Sequence, residues 1–244
     1  MKRAAFPAII VALAVVGAAA FGIRMNGTKV PGPRSPAERP TLALLTSLPL
    51  VFGESFGLGS GGSPALSRLE QRYNVLPIGV ADAGSLEGQE LLLMAHPRAQ
   101  PAEALVELDR WVRDGGRVLL LADPRLDWPS ERPLGDMLRP PPAFADTGLM
   151  MHWGLRLVGP EPEGPALKGN GKLNVLASSP GRVESGTCDI KGDGFVARCR
   201  IGRGAATVIA DADMLNVEAE QAPDGPNEHN LDLIVAELAR LESR

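Results

Sequence analysis

Three aspartates stand where two predicted strands end. Asp123 follows the apolar segment Arg117–Ala122, and Asp211 and Asp213 follow the segment Ala205–Ala210. The carboxyl ends of the strands in an open α/β sheet form the edge where ligands usually bind. Clustered carboxylates at that edge suit a divalent cation or acid–base chemistry. A structural interpretation is also open, in which Asp123 starts a turn and Asp213 caps the following segment.

The chain has two cysteines, Cys188 and Cys199. A two-residue turn at residues 193–194 pairs Gly192 with Phe195 and, counted outward, sets the cysteines opposite each other as a hydrogen-bonded pair about 5.5 Å apart at Cα. That separation lies within disulfide range, and an exported protein would form the bond. Two free thiols are the alternative. A metal site is not predicted, because no histidine lies near either cysteine.

A glycine-rich segment matches G-x-G-x-x-G through Gly57, Gly59 and Gly62, with Asp82 about twenty residues on. In dinucleotide-binding sites such glycines directly follow a strand, which brings their N–H groups onto the pyrophosphate. Here residues 47–56 separate the preceding predicted strand from the glycines. The segment is therefore interpreted as a surface loop, and no cofactor is predicted.

No catalytic residue is predicted. The three histidines, His96, His152 and His229, lie in a strand-end loop, beside an apolar segment and at a late helix start. Each is interpreted as a local hydrogen-bonding residue. Ser47 and Ser55 lack the G-x-S-x-G context of a nucleophile elbow, and neither cysteine lies on a strand-to-helix turn.

The elements that must position these residues alternate between strand and helix from Thr41 onward. Strands are predicted at Thr41–Thr46, Asn74–Ile78, Glu90–Ala95 and Arg117–Ala122, with helices at Ser63–Tyr73 and Pro101–Asp114. Continuous apolar strands between amphipathic helices indicate a mostly parallel sheet covered on both faces, which is an α/β fold.

The pattern is looser after Asp123. Residues 129–142 contain several prolines and predict a surface excursion. Beyond it we expect a short helix at Thr147–Trp153 and a last helix at Asn227–Glu242. Between them, strands, most of them at hairpin spacing, are expected at Leu155–Val158, Leu173–Ala177, Arg182–Ile190, Phe195–Ile201 and Ala205–Ala210. Residues 41–244 thus form one domain with a C-terminal β-hairpin excursion.

The N-terminus resembles an export signal. Lys2 and Arg3 precede the stretch Ala4–Ile23, which has no charge and is long enough to cross a bilayer as one helix. Residues 1–24 are therefore a membrane anchor or a signal segment cut after Ala20, and both interpretations stay open. Residues 25–40 are rich in proline and glycine and form a linker to the domain.

Composition and charge limit the kinds of binding partner that can be expected. The chain has 244 residues, of which 44% are hydrophobic and 22% charged, as in a globular protein. Its net charge is -4, and no basic stripe is interleaved with aromatic residues, so no nucleic-acid partner is expected. A short basic leader favours a domain on the extracytoplasmic (periplasmic) side of the cytoplasmic membrane, although basic residues after the apolar stretch weaken that preference.

Three segments resemble a known family. Residues 91–124, 146–158 and 202–216 are similar to the extracytoplasmic domain of auxiliary proteins of uncharacterised ABC-type transport systems, including gliding-motility components. The resemblance implies a sheet like that of class I glutamine amidotransferases without their chemistry, because Asp123 and Pro124 stand where a reactive elbow would fall. It also implies a membrane tether and a role beside a transporter. This chain is shorter than many such proteins and ends in charged residues rather than a membrane helix.

The sequence therefore predicts a doubly wound, flavodoxin- or amidotransferase-like sheet on one N-terminal transmembrane helix. The expected function is that of a non-catalytic accessory or binding domain, with an ABC permease and ATPase as partners. Ligand-binding residues are expected at Asp123, Asp211 and Asp213. The alternative is a metal-dependent hydrolase that uses the same three carboxylates.

Overall fold

The structure is a computed structural model that describes residues 30–53, 62–160, 164–217, 221–222, 225–226 and 229–244. Its strands are β1 Thr41–Thr46, β2 Asn74–Ile78, β3 Leu91–Ala95, β4 Arg117–Leu121, β5 Leu155–Val158, β6 Ala166–Gly169, β7 Asn174–Ala177, β8 Arg182–Ser185, β9 Asp189–Lys191, β10 Val196–Ile201, β11 Gly204–Ile209, β12 Gln221–Ala222 and β13 Gly225–Pro226. Its α-helices are α1 Pro64–Glu70, α2 Ala83–Leu86, α3 Ala102–Arg113, α4 Leu149–His152 and α5 His229–Glu242. Short 3₁₀ turns cover Pro36–Glu38 and Asp213–Leu215.

A seven-stranded sheet with the order β2-β1-β3-β4-β11-β10-β9 forms the centre of the domain. The first five strands in this order are parallel, whereas β10 runs antiparallel to both β11 and β9. The parallel part follows the doubly wound order 2-1-3-4-5. The predicted α/β fold with a mostly parallel sheet is therefore confirmed.

Both faces of this sheet are covered, because successive side chains of a strand point to opposite faces. Leu91 and Leu93 of β3 belong to a core layer with residues of α1 and α5. Leu92 and Met94 of the same strand pack in a second layer with Leu108 of α3. Strands buried on both faces explain the continuous apolar runs in the sequence.

The second half of the chain differs from the sequence prediction. The single strand expected at Arg182–Ile190 is two strands, of which β8 pairs with β5 in a separate two-stranded sheet and β9 joins the central sheet. Between them the Ser185 hydroxyl accepts hydrogen bonds from the N–H groups of Thr187 and Cys188, which turns the backbone out of the strand. The β9–β10 hairpin is thus an extension of the main sheet, and the true excursions are the β5–β8 and β6–β7 pairs.

Some sequence predictions lie outside the described residues. They are the membrane segment 1–24, the first part of the linker at 25–29, and most of the glycine motif, for which the structure describes Gly62 alone. In the part of the chain that the structure describes, no helix has the length and apolarity needed to cross a membrane.

The β9–β10 hairpin carries the predicted disulfide between Cys188 and Cys199. Asp193 and Gly194 have φ values of 52° and 92°, as a type I′ turn requires, and the ladder pairs Lys191 with Val196. Both the register and the bond are confirmed. The Cα separation is 4.6 Å rather than about 5.5 Å, because the ladder ends one pair earlier and does not hold the cysteines at hydrogen-bonded spacing.

Removing this disulfide should weaken the fold without changing it. We expect Cys188→Ala combined with Cys199→Ala to lower the free energy of unfolding by about 2–3 kcal/mol, because the bond closes a short loop in the unfolded chain. Urea unfolding followed by circular dichroism measures the change. Reductant should lower the free energy of unfolding of the wild type by a similar amount and leave that of the double variant unchanged. A double variant as stable as the wild type would contradict the prediction.

Candidate functional site

The three aspartates singled out in the sequence meet at one point of the structure. β4 and β11 are parallel neighbours, so the residues that follow them emerge side by side at the carboxyl edge of the sheet. One carboxylate oxygen from each of Asp123, Asp211 and Asp213 lies within 4.8 Å of the others. All three residues are buried. The predicted juxtaposition is therefore present, and ligand binding by these residues stays a prediction.

Asp123 ties the ends of the two strands together. Its Oδ2 accepts a hydrogen bond of 2.8 Å from the N–H of Ala212, beyond β11, and a longer one from Asp213 N–H. Its Oδ1 accepts from Arg125 N–H at 2.9 Å, which is the turn expected of an aspartate before a proline. The side chain thus satisfies backbone donors that would otherwise be buried without partners.

Asp211 and Asp213 hold the neighbouring loops. Asp211 Oδ1 accepts a hydrogen bond of 2.9 Å from Met214 N–H inside the short 3₁₀ turn. The N-cap of that turn is Ala212, and Asp213, the cap that the sequence suggested, is its first residue. Asp213 instead accepts from the N–H of Asp127 at 2.9 Å and from the hydroxyl of Ser179 at 3.2 Å. It therefore anchors the loop that follows β4.

Burial changes the charge state of this cluster. Desolvation, with the nearby charge of Asp213 as the second cause, raises the pKa of Asp123 to about 8, while three backbone N–H groups oppose the rise. A pKa in this range predicts that Asp123 carries a proton at neutral pH, which would avoid another negative charge in the cluster. A divalent cation could replace this proton, since three carboxylates are oxygen donors of the kind that Mg²⁺ or Ca²⁺ prefers. Such an ion would have to compete with the backbone hydrogen bonds.

Polar residues at other positions are also buried, among them His96. His96, directly after β3, has a φ of 45°, and its Nε2 donates to the Pro141 carbonyl oxygen at 2.9 Å. Burial lowers the pKa of His96, so the ring is neutral. The histidine fastens the proline-rich loop to the sheet, which confirms its interpretation as a local hydrogen-bonding residue.

Glu237 of α5 was missed by sequence reasoning. Burial raises its pKa, but hydrogen bonds from Arg198, Arg240 and Asn170 together lower the pKa below its usual value. Arg240 Nε lies 2.8 Å and Arg198 Nε 3.0 Å from Glu237 Oε2. The network joins α5 to β10 and to the loop after β6. A lone glutamate on the apolar face of a helix was the available signal.

Apolar side chains surround a cleft at the same carboxyl edge. The cleft has a volume of about 530 Å³ and is lined by the ends of β1 and β2, the loop after β1, and Arg132 and Leu138 of the proline-rich loop. Phe52 and Leu138 are 81% and 63% exposed, and nearby Leu134 and Met137 are 87% and 85% exposed. We call these four residues the apolar edge patch. Large exposed apolar side chains in one area are typical of binding surfaces.

Solved structures with the same architecture come from diverse proteins. The domain is similar to the "mmIFT52 N-terminal domain" (TM-score 0.53, 13% identity, 84% of this chain and 98% of that one). It is also similar to "Cytoplasmic Protein STM3548" from Salmonella typhimurium (0.51, 11%, 82% and 98%). It spans 36% of the exo-β-1,4-mannosidase Op5Man5 from Opitutaceae bacterium strain TAV5, at 15% identity, 83% coverage of this chain and a TM-score of 0.49. Neither a protein-family model nor a curated protein matches the chain. At these identities the likeness shows the fold alone.

The protonated Asp123 predicts a pH dependence. The folded protein holds a proton that the unfolded chain releases above its ordinary pKa of 3.8. This contribution to stability is complete below that value and is lost as the pH rises to about 8. Asp123→Asn stays neutral but loses one backbone acceptor, so we expect it to be less stable than the wild type at pH 5, with a deficit that shrinks toward pH 8.

Urea unfolding of both proteins at several values from pH 5 to 8 measures this deficit. His96 titrates with the opposite sign in this range, but it is present in both proteins and cancels in the difference. The matched control is Asp189→Asn, because hydrogen bonding by Lys191 lowers the pKa of Asp189 and moves its titration below the range. A deficit for Asp123→Asn that is constant or grows with pH would show that Asp123 is ionised.

Proposed function

We propose that this chain is a non-catalytic, membrane-tethered binding domain that assists an ABC-type transport system from the extracytoplasmic side. In this proposal the sheet is an amidotransferase-like platform used without amidotransferase chemistry. The carboxyl edge binds the partner, and residues 1–24 anchor the domain in the cytoplasmic membrane. The resemblance of residues 91–124, 146–158 and 202–216 to the auxiliary proteins of such systems supports this choice of partner.

The observation that carries the proposal is the apolar edge patch. Its four side chains are more than half exposed, and Phe52 and Leu138 line one cleft while Leu134 and Met137 line the next. Burying a side chain of this size on a partner is worth about 1.5–3 kcal/mol. The patch is therefore costly to leave in water and suited to a protein surface.

The neighbouring carboxylates support a non-catalytic role. Each of the three accepts at least one backbone hydrogen bond, and each is buried beneath the loops that it fastens. The chain after β4 continues as an extended loop to residue 148 rather than turning into a helix, so there is no strand-to-helix elbow in this described segment. A general acid or base must reach its substrate, and these side chains are turned inward.

The disulfide supports the proposed location. Bonds of this kind persist in oxidising compartments such as the bacterial periplasm and are rare in the cytosol. The Cys188–Cys199 bond therefore agrees with an export signal at residues 1–24. A domain held outside the cytoplasm would meet the extracytoplasmic parts of a permease.

The second candidate is a metal-dependent hydrolase. It is favoured by the approach of Asp123, Asp211 and Asp213 within 4.8 Å, which is close enough for one cation to contact all three. In that case the cation would take up the charge that the proton on Asp123 now neutralises. Metal binding distinguishes the two candidates.

Replacing two residues of the apolar edge patch should strongly reduce partner recovery without unfolding the domain. We expect full-length protein crosslinked in its own membranes to recover an ATPase and a permease, and the double variant Leu134→Ser with Met137→Ser to lose at least about ten-fold of that recovery. Both side chains are exposed, so the thermal midpoint should not change. The control is Leu167→Ser, which changes another exposed apolar residue, on β6. Equal recovery by both variants would disprove the role of the patch.

Metal addition tests the alternative. Under the binding-domain proposal, millimolar MgCl₂, CaCl₂ or MnCl₂ should leave the thermal midpoint unchanged. A cation held by the cluster would instead stabilise the folded protein in proportion to its affinity. A rise in the midpoint that disappears in Asp211→Asn but persists in Asp189→Asn would favour the hydrolase.

A further inference from the structure

Four arginines line one cleft at the amino edge of the central sheet. Arg117 begins β4, Arg200 lies near the end of β10, Arg203 lies in the turn before β11, and Arg244 follows α5. The cleft has a volume of about 370 Å³, and its remaining lining is Gly115, Gly204 and Ala205. We call it the arginine cleft. Its ionisable side chains are all guanidinium groups, although the chain as a whole has a net charge of -4.

Two of the four guanidinium groups have acidic partners. Arg117 lies 2.9 Å from Glu90, and Arg203 lies 3.2 Å from Asp114. Within the described part of the chain, the side chains of Arg200 and Arg244 have neither a hydrogen-bond nor an ion-pair partner. The guanidinium groups of Arg200 and Arg244 are thus exposed positive charges without an acidic partner among the described residues.

The arginine cleft is connected to the described part of the linker, which begins at residue 30. Arg34, in the segment that leads to β1, binds the carboxylate of Glu242 with both guanidinium nitrogens, at 2.8 and 2.9 Å. Arg117 of the cleft donates to the main-chain oxygen of the same Glu242 at 2.9 Å. The end of α5 therefore joins the incoming linker directly to the cleft.

We propose that the arginine cleft binds the phosphate group of an anionic lipid headgroup and so holds the amino edge of the sheet against the membrane. This inference rests on the proposed membrane tether. Guanidinium groups match phosphate oxygens with two parallel N–H donors, and arginine is preferred where phosphate is recognised by geometry. Basic groups near an anionic bilayer are attracted to its negative surface potential.

In this proposal the amino edge of the sheet binds lipid and the carboxyl edge binds a protein partner. Parallel strands begin at one edge and end at the other, so the arginine cleft and the apolar edge patch lie at opposite ends of the domain. With the amino edge on lipid, the carboxyl edge points away from the bilayer. The patch is then presented to a partner that extends beyond the membrane surface.

The test uses the full-length protein reconstituted in phosphatidylcholine vesicles, with or without about 30% phosphatidylglycerol as the anionic lipid. Amide hydrogen exchange is measured for peptides covering residues 199–206. We expect exchange to slow several-fold with phosphatidylglycerol, and this slowing to be lost in Arg200→Glu combined with Arg203→Glu. Arg200→Glu alone should lose part of the slowing, because one of the proposed phosphate-binding groups is removed. The fold should not be disturbed, since the Arg200 side chain has no partner among the described residues. The matched control, Arg98→Glu, makes the same charge change at the opposite edge and should respond as the wild type.

Inorganic phosphate added to pure phosphatidylcholine vesicles separates the two sources of the ligand. Slowing by inorganic phosphate, with no effect of phosphatidylglycerol, would overturn the lipid assignment in favour of a soluble anion. If neither inorganic phosphate nor phosphatidylglycerol slows exchange, the cleft is not a phosphate site.

Carbonate washing separates this inference from the anchor: protein retained by the vesicles without a phosphatidylglycerol response refutes the cleft alone. Protein released by carbonate that still shows the arginine-dependent response supports the cleft and refutes the anchor.

Discussion

The parallel pairing of β4 with β11 is the constraint on which the rest of the domain depends. β4 ends at the carboxyl edge, whereas β11 begins at the amino edge, so residues 122–203 must cross the whole sheet before the two strands can pair. That excursion supplies the proline-rich loop, the small β5–β8 and β6–β7 sheets and the outer hairpin. The buried carboxylate of Asp123 then joins the two strand ends, because it accepts a hydrogen bond from Ala212 N–H. A long chain segment is thus held by a few short hydrogen bonds in a region of low dielectric, where each is strong.

The first half of the fold was predictable because its signals are local. Strands buried on both faces appear as uninterrupted apolar runs, and the helices between them have one apolar face, so β1 to β4 could be placed from the sequence. The hairpin register was likewise fixed by one turn, at residues 193–194. The division between β8 and β9 was not predictable, since no local pattern states which sheet a strand joins. It depends on the Ser185 hydroxyl and on distant partners.

The position of the aspartate site could be predicted from the sequence, but the role of each aspartate could not. Parallel strands bring their carboxyl ends together, which is why the three aspartates could be expected to meet. Which of them holds the loop at Asp127 depends on contacts between segments distant in the chain. The raised pKa of Asp123 arises mainly from burial by those same segments. Glu237 was missed for a related reason, because its arginine partner on β10 lies far from it in sequence.

The two outermost strands restrict how the domain can associate. β2 contains Pro77, which has no N–H to donate, and β9 has three residues, of which Asp189 and Lys191 carry charges. The disulfide fixes the latter strand to its neighbour. Neither side of the sheet offers a continuous row of backbone donors and acceptors to an incoming peptide. Recognition by strand addition is therefore disfavoured, as is sheet-to-sheet polymerisation at high local concentration, and selectivity for a partner must come from side-chain shape.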